Sequence, residues 1–398
     1  MRTRVSDGDE ARCLRVCKVG IFVPALGVKA GYEKSISAHM QIPLRTAIEL
    51  QKIGHQIVLI ATKRAGEDVV MPSLMEELPQ PRFISESRKR AAIGSHKRTT
   101  GYNVKALIAQ LNELHSLAKS ESLDVLHLIG YERMVRMGAL LRLARFPTKI
   151  VVSSLGPPGN DRWAPLYRRA GLVACATDFT AQQWNKIGVK TKTVRFGAVR
   201  DLRAELSATD ITERRRSVVY WRIATEETGG DLVVEVFDRM AVEFPEIDFK
   251  LILRPSPNEV SGVDQLAISH ENCSVHRFPY PTDSFLPNEL YHAICSVFPY
   301  RENTVDPQMS IVETLDFGVP CIVSANRSNP ELVEEGRTGF VCLDDTADEL
   351  EEKIRMAIKS ESLLHGQSCR SAFSASWSWD RYAKSVAKIY DATATAET

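Results

Sequence analysis

Val19-Gly-Ile-Phe-Val-Pro24 is a short apolar run that ends at a proline, and the pattern that decides the fold begins with it. A helical pattern opens near Ser35 and ends at Gly54-His55, and Ile57-Val-Leu-Ile-Ala61 follows as a second apolar run. The order of strand, helix and strand predicts a βαβ unit with parallel strands and a right-handed crossover.

The same alternation continues along the chain and predicts an α/β protein. Further strands are predicted over residues 125–129, 149–153, 172–176, 191–195, 218–221, 249–253, 274–278, 295–299, 320–324 and 340–343. Helices are predicted between them over residues 104–119, 180–186, 230–243, 289–293, 310–317 and 347–360. Strands that alternate with helices in this way form parallel sheets that are covered on both faces.

The length of the chain and a break in the alternation of strands and helices near residue 201 indicate two domains. The chain has 398 residues, which exceeds the roughly 250–300 at which a single core stops growing. The polar, charged stretch 201–216 interrupts the alternation and is predicted to be a linker. The sequence therefore predicts two Rossmann-like doubly wound domains facing a central cleft. Their predicted bounds are a disordered leader at 1–17, a first domain at 18–200, a second domain at 217–375 and a closing helix at 376–398.

Composition excludes several classes of protein. Lys and Arg together number 51 against 50 for Asp and Glu, so the balance is not that of a nucleic-acid-binding chain. The eight cysteines are scattered, which predicts reduced core thiols and no metal site. The first residues contain no apolar signal stretch, and no window approaches the roughly 18 apolar residues of a membrane span. We therefore expect a cytoplasmic protein.

Two stretches of the second half carry a resemblance to a known family. Ser310-Ile-Val-Glu-Thr-Leu-Asp-Phe-Gly-Val-Pro-Cys-Ile-Val-Ser324 and Asn329-Pro-Glu-Leu-Val-Glu-Glu-Gly-Arg-Thr-Gly-Phe-Val341 resemble the donor-site signature of the family 4 retaining glycosyltransferases. Gly54-His55, Asp124-Val-Leu-His127 and the segment from Ser376 to Tyr390 are similar to other parts of that family. The resemblance covers residues 18 to about 392 and implies the GT-B fold.

The resemblance implies a nucleotide-sugar donor site in the second domain. A helix N-terminus presents free N–H groups that suit a diphosphate, and Glu313 lies in the first turns of such a helix. In the family the equivalent of Glu313 accepts both ribose hydroxyls, whereas the alternative is a carboxylate that only complements the helix dipole. Arg222 matches a diphosphate-binding arginine, and Glu331 either joins the site or caps its own helix. The predicted donor residues are Arg222, Thr228, Gly229, Arg254, Asp306, Gln308, Met309, Ser310, Glu313, Arg327 and Glu331.

The chain departs from the family pattern at several polar positions. Val305 stands where the family has the first Glu of a Glu-x7-Glu pair, and Thr228 stands where it has a phosphate-binding Lys. Leu155 replaces a His near the donor sugar, and Arg327-Ser328 replace paired glycines. Either arginines in new positions (Arg327, Arg254 or Arg301) supply the missing charge, or catalysis has been lost and the fold kept.

The resemblance also limits what the chemistry requires. Retaining transfer in this fold needs no protein nucleophile, because the departing phosphate serves as base on the same face of the sugar. We therefore assign no catalytic residue and expect no cofactor or metal ion.

The acceptor side is predicted in loops of the first domain. Its candidate residues are Gly31, Tyr32, Glu33, His39, His127 and Asp161. A basic segment at residues 88–102 indicates either a mobile loop that contacts an anionic acceptor or phospholipid headgroups, or an ordinary solvated loop.

Three functions fit the sequence to different degrees. The leading one is transfer of a hexosyl unit from a UDP- or GDP-type donor to an acceptor hydroxyl, with retention at the anomeric carbon. The second is an inactive glycosyltransferase-like subunit that supports a partner enzyme. The third is a periplasmic-type sugar-binding protein, which the missing export signal and the Glu313 signature argue against.

Overall fold

Two compact units, each built on a parallel β-sheet, make up the chain. The computed structural model describes residues 15–23, 38–63, 73–85, 104–206, 216–302, 305–360 and 362–392. The first unit is assigned residues 1–176, 180–195 and 379–398, and the second is assigned residues 177–179 and 196–378.

The first unit holds a seven-stranded sheet with the order β3-β2-β1-β4-β5-β6-β7. Its strands are β1 (Lys18–Val23), β2 (Gln56–Lys63), β3 (Arg82–Ser85), β4 (Val125–Gly130), β5 (Lys149–Ser154), β6 (Val173–Cys175) and β7 (Thr191–Thr193). The helices along this part of the chain are α1 (Ala38–Lys52), α2 (Val104–Ser120), α3 (Glu132–Leu143), α4 (Ala164–Tyr167) and α5 (Asp178–Lys186). All neighbouring strands pair in parallel, and every residue of β4 is buried. An apolar strand buried on both faces is what helices on both sides of a parallel sheet produce.

The second unit holds a six-stranded sheet with the order β10-β9-β8-β11-β12-β13. Its strands are β8 (Ser217–Arg222), β9 (Asp248–Leu253), β10 (Cys273–Arg277), β11 (Ala293–Phe298), β12 (Cys321–Ser324) and β13 (Gly339–Cys342). Its helices are α6 (Gly230–Glu243), α7 (Val263–Ser269), α8 (Phe285–Tyr291), α9 (Met309–Phe317), α10 (Asn329–Leu332), α11 (Ala347–Lys359) and α12 (Gly366–Ser374). The order of strands reverses between β8 and β11. Ligands of such open sheets bind beyond the carboxyl ends of the strands at this reversal.

The structure confirms the predicted architecture of two Rossmann-like parallel-sheet domains. It adds elements that the sequence did not predict, among them β3 and α12. β3 is an edge strand whose Arg82 and Phe83 are exposed, so it lacks the buried apolar run of an inner strand. In α12 the buried side chains are Cys369 and Phe373, too few to produce a helical apolar stripe. The described residues also contain four short 3-10 helices: Ser73–Glu77, Asp161–Trp163, Arg168–Ala170 and Glu226–Thr228.

The last helix, α13 (Trp379–Ala392), groups with the first unit and contacts α1. Its Tyr390 hydroxyl lies 2.8 Å from Nδ1 of His127 on β4, and Nε2 of His127 lies 2.7 Å from the Ser153 hydroxyl. Burial lowers the pKa of His127 to about 3, so the ring is neutral at ordinary pH. A polar chain inside the core thus holds the helix to the sheet.

Replacement of Tyr390 by Phe is expected to lower the free energy of unfolding by about 1–3 kcal/mol, because a buried ring nitrogen of His127 loses its partner. Denaturant unfolding measures this loss. Tyr291→Phe is the control, since Tyr291 is 39% exposed. Equal stability of the two variants would contradict a structural role for the Tyr390 hydroxyl.

In the described ranges, no helix combines the length and the apolar character needed to cross a bilayer.

Candidate functional site

Two arginines lie at the carboxyl ends of neighbouring strands in the second sheet. Arg222 is the last residue of β8, and Arg254 directly follows β9. The Arg254 backbone N–H donates to the Arg222 carbonyl across 3.3 Å. Tyr280 follows β10, the next strand of the sheet. Phe278, which lies between β10 and Tyr280, donates its backbone N–H to the Leu253 carbonyl at the end of β9. These side chains therefore start from one edge of the sheet, where ligands of this fold class bind.

Helix α9 is fixed beside the same edge by buried hydrogen bonds. The Trp221 indole N–H donates to the Thr314 hydroxyl at 2.9 Å, which joins the end of β8 to the second turn of α9. The Tyr300 hydroxyl lies 2.7 Å from the Ser310 hydroxyl and anchors the first turn. Because Trp221 precedes Arg222 and Thr314 follows Glu313, these contacts bring the two charged residues into one neighbourhood.

Glu313 is a partly buried carboxylate among three guanidinium groups. Burial raises its pKa to about 7, whereas the positive charges of Arg200, Arg254 and Arg222 lower the pKa, in that order of effect. Desolvation therefore outweighs the three cations. A carboxyl group poised near neutrality beside several cations is typical of a binding or catalytic site.

Arg200 acts on Glu313 although it is not part of the second sheet. It lies in the stretch of chain that connects β7 to β8, and Glu205 of the same stretch accepts two hydrogen bonds from its guanidinium group. The Nε–Oε1 distance is 2.9 Å and the Nη2–Oε2 distance is 2.5 Å, so the ion pair is bidentate. The Arg222 guanidinium carbon lies 5.9 Å from the centre of the Tyr300 ring. In the part of the chain that the structure describes, neither Arg222 nor Arg254 has a carboxylate partner at ion-pair distance.

The turn after β8 explains what Thr228 and Gly229 do in this chain. The Thr228 hydroxyl donates to the Ile223 carbonyl at 2.6 Å and lies 2.9 Å from the Tyr220 hydroxyl, so it is used within the turn. Gly229 has a φ of +69°, and a Cβ there would lie 2.1 Å from the Pro299 carbonyl oxygen. Thr228 contributes no charge in place of a lysine, and both residues shape the turn.

Two other arginines considered as replacements have different surroundings. Arg301 pairs with Asp231 and with Asp345, each at 2.6 Å, so its charge is neutralised locally. Arg327 is exposed, with a φ of +50°, in the turn between β12 and α10. The strongest charge effects on Glu313 do not include Arg327. Among the three predicted replacements, Arg254 is therefore the one that the structure brings to Glu313.

Several predicted donor residues are buried or engaged within the second unit. Asp306 is fully buried and accepts hydrogen bonds from the hydroxyls of Thr177 (3.2 Å) and Ser328. The carboxylate of Glu331 accepts the backbone N–H groups of Asp178 (2.8 Å) and Phe179 (2.6 Å). These contacts give Asp306 and Glu331 structural roles.

The start of α9 is buried as well. Gln308 precedes the helix, Met309 is its first residue, and the Ser310 hydroxyl is already paired with Tyr300. The helix N-terminus therefore presents free backbone N–H groups, and the Ser310 hydroxyl is already used.

The predicted acceptor-side residues are not brought together by the described part of the structure. Gly31, Tyr32 and Glu33 lie outside the described residues, as do the His39 side chain and the basic segment. His127 is fully buried with both ring nitrogens engaged, so its place is in the core of the first unit. Asp161 is exposed and begins a one-turn helix after the carboxyl end of β5.

Sequence reasoning missed Arg200, Glu205 and Tyr280. The sequence predicts that Arg200 ends the first domain and that Glu205 lies in the linker, whereas in the structure both group with the second unit. The signal available was an arginine and a glutamate five residues apart in a polar stretch, which is also common on solvated surfaces. No three His, Cys, Asp or Glu side chains within the described ranges are placed to hold a metal ion.

Comparison with solved structures defines the class of fold. The chain is similar to sucrose-phosphate synthase (tll1590) from Thermosynechococcus elongatus, with 14% identity and a TM-score of 0.65 over 95% of this chain and 100% of that chain. It is similar to Anabaena Alr3699/HepE in complex with UDP-glucose, with 14% identity and a TM-score of 0.65 over 94% and 100%. It is also similar to the lipopolysaccharide outer core galactosyltransferase WaaB, with 11% identity and a TM-score of 0.66 over 94% and 99%. The shared fold is of the GT-B class.

Sequence comparison finds similarity to a known family in one part of the chain. Residues 215–360 match the family model described as glycosyl transferases group 1. No curated protein matches the chain. We call Arg200, Glu205, Arg222, Arg254 and Glu313 the charged group. The matched stretch contains three of its residues, Arg222, Arg254 and Glu313, and also Tyr280.

Proposed function

We propose that this chain is a glycosyltransferase that moves a hexosyl unit from a UDP- or GDP-type nucleotide sugar to an acceptor hydroxyl, with retention at the anomeric carbon. The observation that carries the proposal is the carboxylate of Glu313 among Arg200, Arg254 and Arg222 at the carboxyl edge of the second sheet. Two lines of comparison support it. Residues 215–360 match the group 1 family, and a structural neighbour is described in complex with UDP-glucose.

The site offers a complementary group for each part of a nucleotide sugar. Arginine guanidiniums pair with phosphate oxygens through charge-assisted, often bidentate hydrogen bonds. The Glu313 carboxylate accepts hydrogen bonds from the two ribose hydroxyls. Tyr280, half-buried and stacked at 5.6 Å on Phe285, lies near Arg254 and Arg200 and offers an aromatic face to the base.

In the proposed reaction the bond between the anomeric carbon and the β-phosphate oxygen breaks, and a bond to the acceptor oxygen forms on the same face. The acceptor proton passes to the departing phosphate, so no side chain serves as nucleophile. Negative charge grows on the leaving nucleoside diphosphate. Fixed guanidinium groups stabilise that charge without reorganising, which lowers the barrier.

Arginine side chains supply this positive charge in the proposal, so no divalent cation is required. Turnover that persists in excess chelator is the expected outcome.

Arg222→Ala is expected to weaken binding of the nucleoside diphosphate by about tenfold, since one charge-assisted interaction is lost. Thermal-shift screening of UDP, GDP and their sugar derivatives identifies the nucleotide, and calorimetry then gives the affinities. Arg327→Ala is the matched control, because Arg327 is exposed and lies outside the charged group. Absence of stabilisation of the unaltered chain by every nucleotide and nucleotide sugar would reject the proposed function.

An inactive subunit that supports a partner enzyme is the second candidate function. The observation that favours it is Thr228, whose hydroxyl is confined to the turn after β8. Release of nucleoside diphosphate by the purified chain with a panel of hydroxyl acceptors decides between the two. Turnover by the chain alone rules out the inactive subunit, whereas nucleotide binding without turnover favours it.

A further inference from the structure

The segment at residues 196–206 groups with the second unit, which carries α9. Arg203 donates to the Gln367 side chain of α12 at 3.1 Å, and α12 packs on α9. Asp201 and Arg203 also act electrostatically on Asp316, which lies one turn beyond Glu313 on α9. A hydrogen bond thus ties the segment to α12, and its charges act on the helix that carries Glu313.

Within this segment Arg200 is held in a defined orientation. Glu205 takes the Nε and Nη2 hydrogens in the bidentate pair, and the side chains of the two residues are about equally exposed, at 30% and 29%. Among the described residues, the remaining Nη1 has no hydrogen-bond partner. A clamped guanidinium with one free edge loses little conformational entropy when it binds a ligand.

The charged group around Glu313 carries more positive than negative charge. Arg200, Arg222 and Arg254 carry three positive charges, against two negative charges from ionised Glu313 and Glu205. When Glu313 takes up a proton, the excess of positive charge becomes larger. The group therefore favours a ligand that carries at least one negative charge.

We propose that Arg200 is a third diphosphate-binding arginine of the donor site, oriented by Glu205 and supplied by the segment between the two sheets. Its Nη1 edge binds a phosphate oxygen next to those held by Arg222 and Arg254. Together with Arg254 it supplies positive charge that Thr228, which stands in place of a lysine, does not provide. The inference rests on the proposed function, since it concerns the diphosphate of the same donor.

The test compares Arg200→Ala with Arg203→Ala in calorimetric titrations with UDP, GDP and inorganic pyrophosphate. Arg203 is the matched control because it lies in the same segment and its partner Gln367 is outside the charged group. We expect Arg200→Ala to bind the nucleoside diphosphate about tenfold more weakly, with a similar loss for pyrophosphate, which has neither base nor ribose. Arg203→Ala should bind as the unaltered chain does.

Arg200→Lys keeps the charge without the planar fork, so intermediate affinity is expected. It also serves if the alanine variant does not fold, which thermal melting without ligand detects. If the unaltered chain binds UDP or GDP and both Arg200 variants bind equally well, Arg200 is not a diphosphate ligand and the proposed donor site still stands. If a loss appears for the nucleoside diphosphate but not for pyrophosphate, Arg200 contacts another part of the ligand and the inference is wrong. If the unaltered chain binds neither nucleotide, the proposed function and this inference both fail.

Discussion

Glu313→Gln is expected to weaken binding of the nucleotide sugar by about a hundredfold, the largest functional effect of any single substitution that we propose. The carboxylate is proposed to accept two ribose hydroxyls, and hydrogen bonds to a charged acceptor contribute about 1.5–3 kcal/mol each. The amide has nearly the same shape but can accept with only one of its two polar atoms. Calorimetry with the nucleotide sugar found in the screen measures the loss.

The same carboxylate predicts a dependence on pH. Its pKa is raised from 4.5 to about 7 by burial, so the folded chain holds a proton that the unfolded chain has released. The stability linked to this proton is fully present below the unfolded value and is lost as pH rises through the folded value. Stability should therefore fall by about 1–3 kcal/mol relative to Glu313→Gln between about pH 5 and pH 8.

The affinity for the nucleotide sugar should change with pH in the opposite direction to stability. Ribose hydroxyls donate to the ionised carboxylate, so affinity for UDP-glucose should rise from about pH 6 to about pH 8 in the unaltered chain. In Glu313→Gln the affinity should stay level over that interval.

Asp316→Asn is the control for both measurements. Asp316 is one turn further along α9, has a pKa raised by burial, and pairs with Arg370 at 3.6 Å. Neutralising it changes the charge of the same helix without touching the proposed ribose contact. Equal effects of Asp316→Asn and Glu313→Gln on nucleotide affinity would mean that Glu313 acts through general electrostatics.

Gly339→Ala is expected to destabilise the second unit by more than about 3 kcal/mol, or to prevent folding. Gly339 pairs with Cys321 at the start of β13 and has a φ of +151°, which L-residues rarely adopt. A Cβ there would lie 1.8 Å from the Cys321 carbonyl oxygen, so backbone must move. Soluble yield and thermal unfolding measure the effect.

Gly336→Ala is the matched comparison for this substitution. Gly336 also has a positive φ, +73°, but a Cβ at that position meets nothing within 4 Å. We expect a cost of only about 1–2 kcal/mol, the strain of a left-handed residue. A Gly339→Ala variant as stable as Gly336→Ala would show that β12 and β13 separate easily at this point.

The alternation of apolar runs with helical patterns was sufficient to predict the two parallel sheets, because inner strands such as β4 are buried on both faces and mostly apolar. Glu313 and Arg222 were predicted from the resemblance to the glycosyltransferase family, and Arg254 as one of three arginines that could supply a missing charge. The structure brings these three residues into one neighbourhood, because they stand at neighbouring strand ends and at the start of a helix.

Other features depend on contacts between residues distant in sequence. Asp306 and Glu331 matched a pattern, yet their oxygens bind Thr177, Ser328 and the backbone near Asp178. Whether a carboxylate is free for a ligand depends on which donors the fold brings to it. No spacing along the chain reveals those donors. Arg200 was missed for the converse reason, because its neighbours on α9 are more than a hundred residues away in sequence.

Helix α13 has a consequence for the order in which the chain folds during synthesis. The helix groups with the first unit, although residues 196–378 of the second unit separate it in sequence from the rest of that unit. Its buried side chains include Trp379, Tyr382, Val386 and Tyr390. Domains usually fold as the ribosome releases them, the earliest first. Here the first unit exposes the face that α1 offers to α13 until the last residues of the helix have been made. The second unit can complete its core earlier, and chaperone binding during translation should therefore concentrate on the unit that is made first.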